Sequence, residues 1–120
     1  MAESLTVQIK ALLDDYSEEV AEATEKAIES VSRQAVQRLK NDSPRRTGEY
    51  ASGWKRKKDG KRTVTIYNAK APGLTHLLEN GHVIRNKKGT YGRTRPIKHI
   101  QPVEQWANDE LVREIERRLL

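Results

Sequence analysis

The sequence predicts one α+β domain. A long N-terminal helix and a C-terminal helix pack on a small antiparallel sheet, with one short helix at the centre. Three observations carry this reading. Apolar residues recur at threes and fours from residue 4 to 40, with no glycine or proline among them. Two strand-like runs flank the Asp-Gly pair at 59–60, a hairpin signal. A last segment, led by Pro102, again steps by four. The 120 residues fit a single domain, 1–120, with a modest core.

The first helix is read over residues 4–40. Its stripe is Ile9, Leu13, Tyr16, Val20, Ala23, Ala27, Val31, Ala35 and Leu39, with Ser4 as a candidate cap. Acidic residues crowd its first two-thirds and basic residues its end, which suits the helix dipole. The alanines permit close approach of another element. The plain reading is a helix covering a sheet; the sharper one adds packing between subunits.

Pro44 holds Ser43 extended and ends the pattern. Arg45 and Arg46 then precede a Thr-Gly turn. They read either as a solvated turn or as a contact for phosphate or an acidic partner. Residues 50–57 read as a strand, with Tyr50, Ser52, Trp54 and Arg56 on one face. Residues 63–67 return, with Val64 and Ile66 facing the core. Between them Lys55, Arg56, Lys57, Lys58, Lys61 and Arg62 make a hairpin that projects positive charge.

Residues 68–82 are the predicted centre. Pro72 suits a first helical turn, Leu74, Leu77 and Leu78 share a face, and Gly81 stops the helix. An aspartate at Leu77 is expected to unfold such a buried helix. Residues 83–95 carry Arg85, Lys87, Lys88, Arg93 and Arg95 around Asn86, Gly89 and Gly92. They read as two short strands around a turn or as a long basic loop, and the loop that orders in an assembly is the favoured form. Residues 96–102 lead extended into the last helix, where Val103, Ala107, Leu111 and Ile115 step by four beside Trp106. The expected core is Leu13, Val20, Val31, Trp54, Val64, Ile66, Leu74, Leu77, Leu78, Trp106 and Leu111.

The net charge of +6 is unevenly divided: −3 over residues 1–40, +11 over 41–100 and −2 over 101–120. A basic middle fits nucleic acid or an acidic protein partner. Tyr50, Trp54, Tyr67 and Tyr91 are interleaved with it, yet no helix-turn-helix, zinc-finger or RNA-recognition signature accompanies them. The alternative function is therefore sequence-independent, salt-sensitive nucleic-acid binding through the basic middle. The absence of cysteine excludes a disulfide framework and thiol chemistry. No apolar run approaches a membrane span, and the start of the chain lacks a signal core, which predicts a cytoplasmic product.

No constellation argues for an enzyme. His76, Glu79 and His82 are spaced by three, whereas zinc helices place two histidines four apart. Glu79 is expected instead to form an ion pair with a nearby lysine or arginine, or a subunit contact. No metal or cofactor is expected.

Three motifs, in order over residues 40–110, resemble the Hong-Kong-phage gene-product-ten-like family of tailed-phage proteins. The first is Ser43-Pro44 with Thr47-Gly48-Glu49-Tyr50 and Gly53-Trp54-Lys55. The second is Asn68-Ala69 with Leu77-Leu78-Glu79-Asn80-Gly81-His82. The third is Pro96-Ile97 with Ile100-Gln101-Pro102-Val103-Glu104. The chain departs from the pattern at Val103, where alanine is commoner, and in its very basic segment 85–95. The resemblance implies a tail component, neck or tail-completion protein of a phage or prophage. The same resemblance implies an α+β fold, a ring near the head–tail junction and assembly in the bacterial host cytoplasm. Implied partners are head-completion, portal-adaptor or tail-terminator proteins and further copies of the chain, with non-specific contact to packaged DNA. In such a ring, acidic helix faces would meet basic loops of the next subunit.

Overall fold

The computed structural model describes residues 4–10, 17–86 and 88–120. Leu13, Tyr16 and Lys87, and the side chain of Tyr91, lie outside that description. The elements run β1 (Val7–Lys10), α1 (Glu18–Asp42), α2 (Glu49–Ser52), β2 (Trp54–Gly60), β3 (Thr63–Asn68), α3 (Leu74–Asn80), β4 (Val83–Asn86), β5 (Gly89–Arg93) and α4 (Ile100–Leu119). The class is α+β, as the sequence predicts.

β3 is the middle strand of a three-stranded antiparallel sheet, between β1 and β2. Val7 lies opposite Ile66 and Ile9 opposite Val64, and all four side chains are buried. The sequence reading placed residues 7–10 in the first helix. Val-Gln-Ile-Lys alternates with period two, and β3 supplies the partner that alternation needs. The helix begins at Ser17 rather than Ser4: the Ser17 hydroxyl accepts from Val20 N–H, and Glu18 and Glu19 fill the first turn.

α1 ends as predicted. Ser43 is extended (φ −70°, ψ 148°), and its N–H caps Leu39 O. The face that α1 buries is Ala23, Thr24, Ala27, Ile28, Val31, Ser32, Ala35 and Leu39. α4 lies against it, burying Ile100, Val103, Ala107 and Leu111. Arg38, late in α1, sits over the ring of Trp106, early in α4, whereas Arg118, at the far end of α4, adjoins Glu22 and Lys26. The two helices are therefore antiparallel. Small residues at Ala27, Ala35 and Ala107 let them approach closely.

Three local expectations are corrected. Residues 50–52 are not strand: Gly48, in the left-handed region (φ +80°), opens the short helix α2, which buries Tyr50 and Ala51. The β2–β3 turn is Lys61-Arg62 rather than Asp59-Gly60, because a bulge between Lys58 and Gly60 carries the strand onward. Asp59 there accepts a hydrogen bond from the Thr65 hydroxyl instead of closing the turn. Pro102 lies two residues inside α4, which starts at Ile100.

The central helix differs most from expectation. α3 buries Thr75 and Glu79, not its leucines; Leu77 and Leu78 are partly buried and Leu74 is 41% exposed. Thr75 Oγ1 accepts from Leu5 N–H at 2.8 Å and donates to Pro72 O at 2.9 Å, so a polar residue ties α3 to the lead of β1. Gly81 does end the helix (φ +73°). A Cβ there would stand 2.5 Å from Thr94 O, so the return of the next hairpin also requires glycine.

The core is Val7, Ile9, Ile28, Val31, Leu39, Tyr50, Trp54, Val64, Ile66, Ile100, Val103 and Leu111 with the alanines between them. Val31, Trp54, Val64, Ile66 and Leu111 were expected there. Val20 and Trp106 are only partly buried. β4 and β5 form a separate two-stranded sheet, the structured form of residues 83–95 rather than the favoured loop. Apart from partly buried Val83, their described side chains are exposed. The molecule measures 62 × 25 × 21 Å.

Candidate functional site

The first two sequence motifs meet in space. Pro44, Thr47, Gly48 and Tyr50, from the loop after α1 and from α2, face Ala71, Leu74 and Leu78 across a groove of about 480 Å³. The groove is mostly apolar, with Arg46 and Glu49 in its lining. Its floor is fastened by a buried polar chain. Tyr50 Oη lies 2.7 Å from His99 Nε2, and His99 Nδ1 lies 2.7 Å from Ile97 O and 3.0 Å from Glu79 Oε1. Burial first, and then the charge of Glu79, push the Tyr50 hydroxyl well above its ordinary range. Two acceptor oxygens facing Nδ1 place the ring proton there, which leaves Nε2 to accept from the Tyr50 hydroxyl.

Glu79 caps α4. Its Oε1 accepts from the N–H groups of His99 and Ile100, both at 2.8 Å, and its Oε2 from Gln101 N–H at 2.9 Å. Burial by itself would raise its pKa; the three backbone donors and His99 outweigh burial and hold it below the ordinary carboxylate value. A carboxylate at a helix N-terminus also meets the positive end of the dipole. The expected ion pair of Glu79 with a lysine or arginine is thus replaced by a helix cap 20 residues away in sequence. Its two oxygens are occupied by these donors. No group of three metal-ligating side chains occurs among the described residues.

Asn68 and Trp54 extend the joint. Asn68 Nδ2 donates to Tyr50 O, and its Oδ1 accepts from Lys70 and Ala71 N–H. Trp54 Nε1 donates to Ser43 Oγ at 2.8 Å, and the Tyr50 and Trp54 rings meet edge-on, 5.6 Å apart. Motif residues Ser43, Tyr50, Trp54, Asn68 and Glu79 therefore form one connected structural joint. His99 belongs to it and was missed. The sequence held no local signal for it, because its partners lie 49 and 20 residues away.

The predicted basic contacts fall into three groups, on β2–β3, in the loop after α1, and on and beside β4–β5. On β2, Arg56 forms a two-pronged pair with Glu29 (2.6 and 2.9 Å), and Arg33 shares that carboxylate. Hydrogen bonds from Arg56, then from Arg33, depress the Glu29 pKa to about 2. Arg62 lies 4.0 Å from Glu25, and Lys57 lies 4.0 Å from Asp59 with its ammonium over the Tyr67 ring. Lys58 adjoins Glu25 and Glu29; Lys55 and Lys61 are exposed. Arg45 donates to Lys40 O, and Arg46 lines the groove. Arg85, Lys88, Arg93 and Arg95 are exposed on and beside the β4–β5 pair. Arg93 donates to Asn80 O, and Lys98 donates to Asn80 Oδ1.

The fold is α+β, and its motif residues hold elements together. Residues 5–81, more than half of the chain, match the family model described as "Bacteriophage HK97-gp10, putative tail-component". The chain belongs to that family of phage tail components, a virion protein class. The third motif, at 96–104, lies beyond the matched residues. No curated protein and no solved structure gives a significant match. Among the described residues no helix is long and apolar enough to cross a membrane.

Proposed function

We propose that this protein acts at the head–tail junction of a tailed-phage particle, in neck or tail completion, by assembling into a ring. Its partners on this reading are its own copies and neighbouring head-completion, portal-adaptor or tail-terminator proteins. Family membership supports the virion role. The observation that carries the assembly role is the groove between Pro44, Tyr50, Ala71, Leu74 and Leu78. Two family motifs converge on an open apolar surface, with Leu74 left in solvent. A repeated head-to-tail contact there, with a second copy as occupant, closes a ring.

The test is the mass of the purified protein in solution across salt and concentration, alone and with a tail or portal protein. A defined ring, formed alone or on adding the partner, supports the reading, and Leu74→Asp is expected to abolish it while leaving the fold intact. Charge reversal at Arg45, Arg46 or Lys57 is expected to weaken it. A monomer indifferent to every such partner overturns it.

A further inference from the structure

We propose that the β4–β5 hairpin and its return strand form a contact for the phosphate backbone of duplex DNA. This inference does not rest on the ring, since a single copy carries the whole surface. From residue 80 to 103 the chain has six basic residues and no carboxylate. Arg85, Arg93, Arg95 and Lys98 make no ion pair with any described residue; Asn80 instead accepts hydrogen bonds from Arg93 and Lys98. Among the described residues, no carboxylate therefore neutralises these four cations.

The backbone arranges that charge. Arg93 lies opposite Val83 and Arg85 opposite Thr90, with a bulge between the two pairs, so both arginines stand on one short two-stranded ribbon. Gly89 and Gly92 keep β5 slim, and a two-stranded ribbon is of a size that a DNA groove admits. Nothing in the arrangement favours one base sequence, which points to backbone contact alone.

A second copy of the chain is the poorer complement. The carboxylates of Glu22, Glu25, Glu29, Glu110 and Glu114 already face a lysine or arginine of their own chain, and the exposed Glu18, Glu19, Glu104, Asp109 and Glu116 are scattered over two helices rather than set in a row. A duplex, with uniform and uncompensated negative charge, is the better one.

The test is fluorescence anisotropy with a short random-sequence duplex, from about 50 to 200 mM salt. The wild type is expected to bind with log affinity falling linearly against log salt. Arg85→Ala with Arg93→Ala is expected to weaken binding and to reduce that slope by about 2. Lys57→Ala with Lys58→Ala, on the other hairpin, is expected to leave the slope unchanged. Thermal melting of both variants checks the fold. An unchanged slope in the arm variant overturns the proposal, as does an equal loss in the control. Capture by poly-glutamate as strong as by DNA also overturns it, in favour of an acidic protein partner.

Discussion

Two hairpins carry ten of the 23 lysines and arginines of this chain, and they are used differently. β2–β3 lies in the main sheet, packed against α1, and its arginines reach Glu29 and Glu25 on that helix. β4–β5 forms its own sheet, with every described side chain but Val83 exposed and no carboxylate in its sequence. Similar composition therefore produces a wall of the body in one case and an arm in the other. What separates them is the neighbour: α1 presents acids to β2–β3, while among the described residues Arg93 and Lys98 meet the neutral Asn80 and no carboxylate. A basic run thus becomes an interface candidate when the fold leaves it without counter-charge.

The largest effect tests the joint between arm and body. Glu79→Ala removes the acceptor for three backbone N–H groups at a buried helix start, and is expected to cost more than about 3 kcal/mol by denaturant melting. Unchanged stability would show that α4 starts without this cap.

Acid sharpens the contrast between the hairpins. The Glu29 pKa is lowered from 4.5 to about 2, so the folded state holds fewer protons there than the unfolded one. The stability this gives is fully present above about 4.5 and is lost as pH falls toward about 2. Arg56→Ala is expected to flatten that part of the melting-against-pH curve. At neutral pH it should cost about 1 kcal/mol, since both partners are partly solvated. A curve identical to wild type would mean that the pair is not formed in solution.

Thr24 Oγ1 is buried without a hydrogen-bond partner among the described residues, on the face of α1 turned to the core. Thr24→Val is expected to raise stability by about 1 kcal/mol, read from the same melts. Smallest of all, Arg85→Ala and Leu74→Asp are expected to shift stability by no more than about 0.5 kcal/mol, as both sites are exposed. A larger loss for Arg85→Ala than for Arg56→Ala would reverse the comparison.

Much of the fold was legible. The stripe from Ala23 to Leu39, the β2–β3 pair, the stop at Gly81 and the spacing of Val103, Ala107 and Leu111 each follow a local rule. β1 was not, because Val7 and Ile9 fit both a strand and a helix until β3 is seen to pair with them. α3 misled because a seven-residue helix has little surface to bury, and a carboxylate that caps a distant helix outranks three leucines. The candidate site was only half legible. The motifs named Ser43, Tyr50 and Glu79, but the tyrosine–histidine–glutamate chain joins residues far apart in sequence. Charge counting found both basic segments, but it could not see that the second is a hairpin or which arginines α1 had already neutralised.

Native-state hydrogen exchange on the wild-type protein tests the division most directly. The account predicts that the paired amides of β3, between β1 and β2, exchange only through global unfolding. Those between β4 and β5 should exchange much faster, through local opening of an arm held mainly by its own ladder. Equal protection in the two sheets, in the protein without partners, would contradict it and make β4–β5 part of the body.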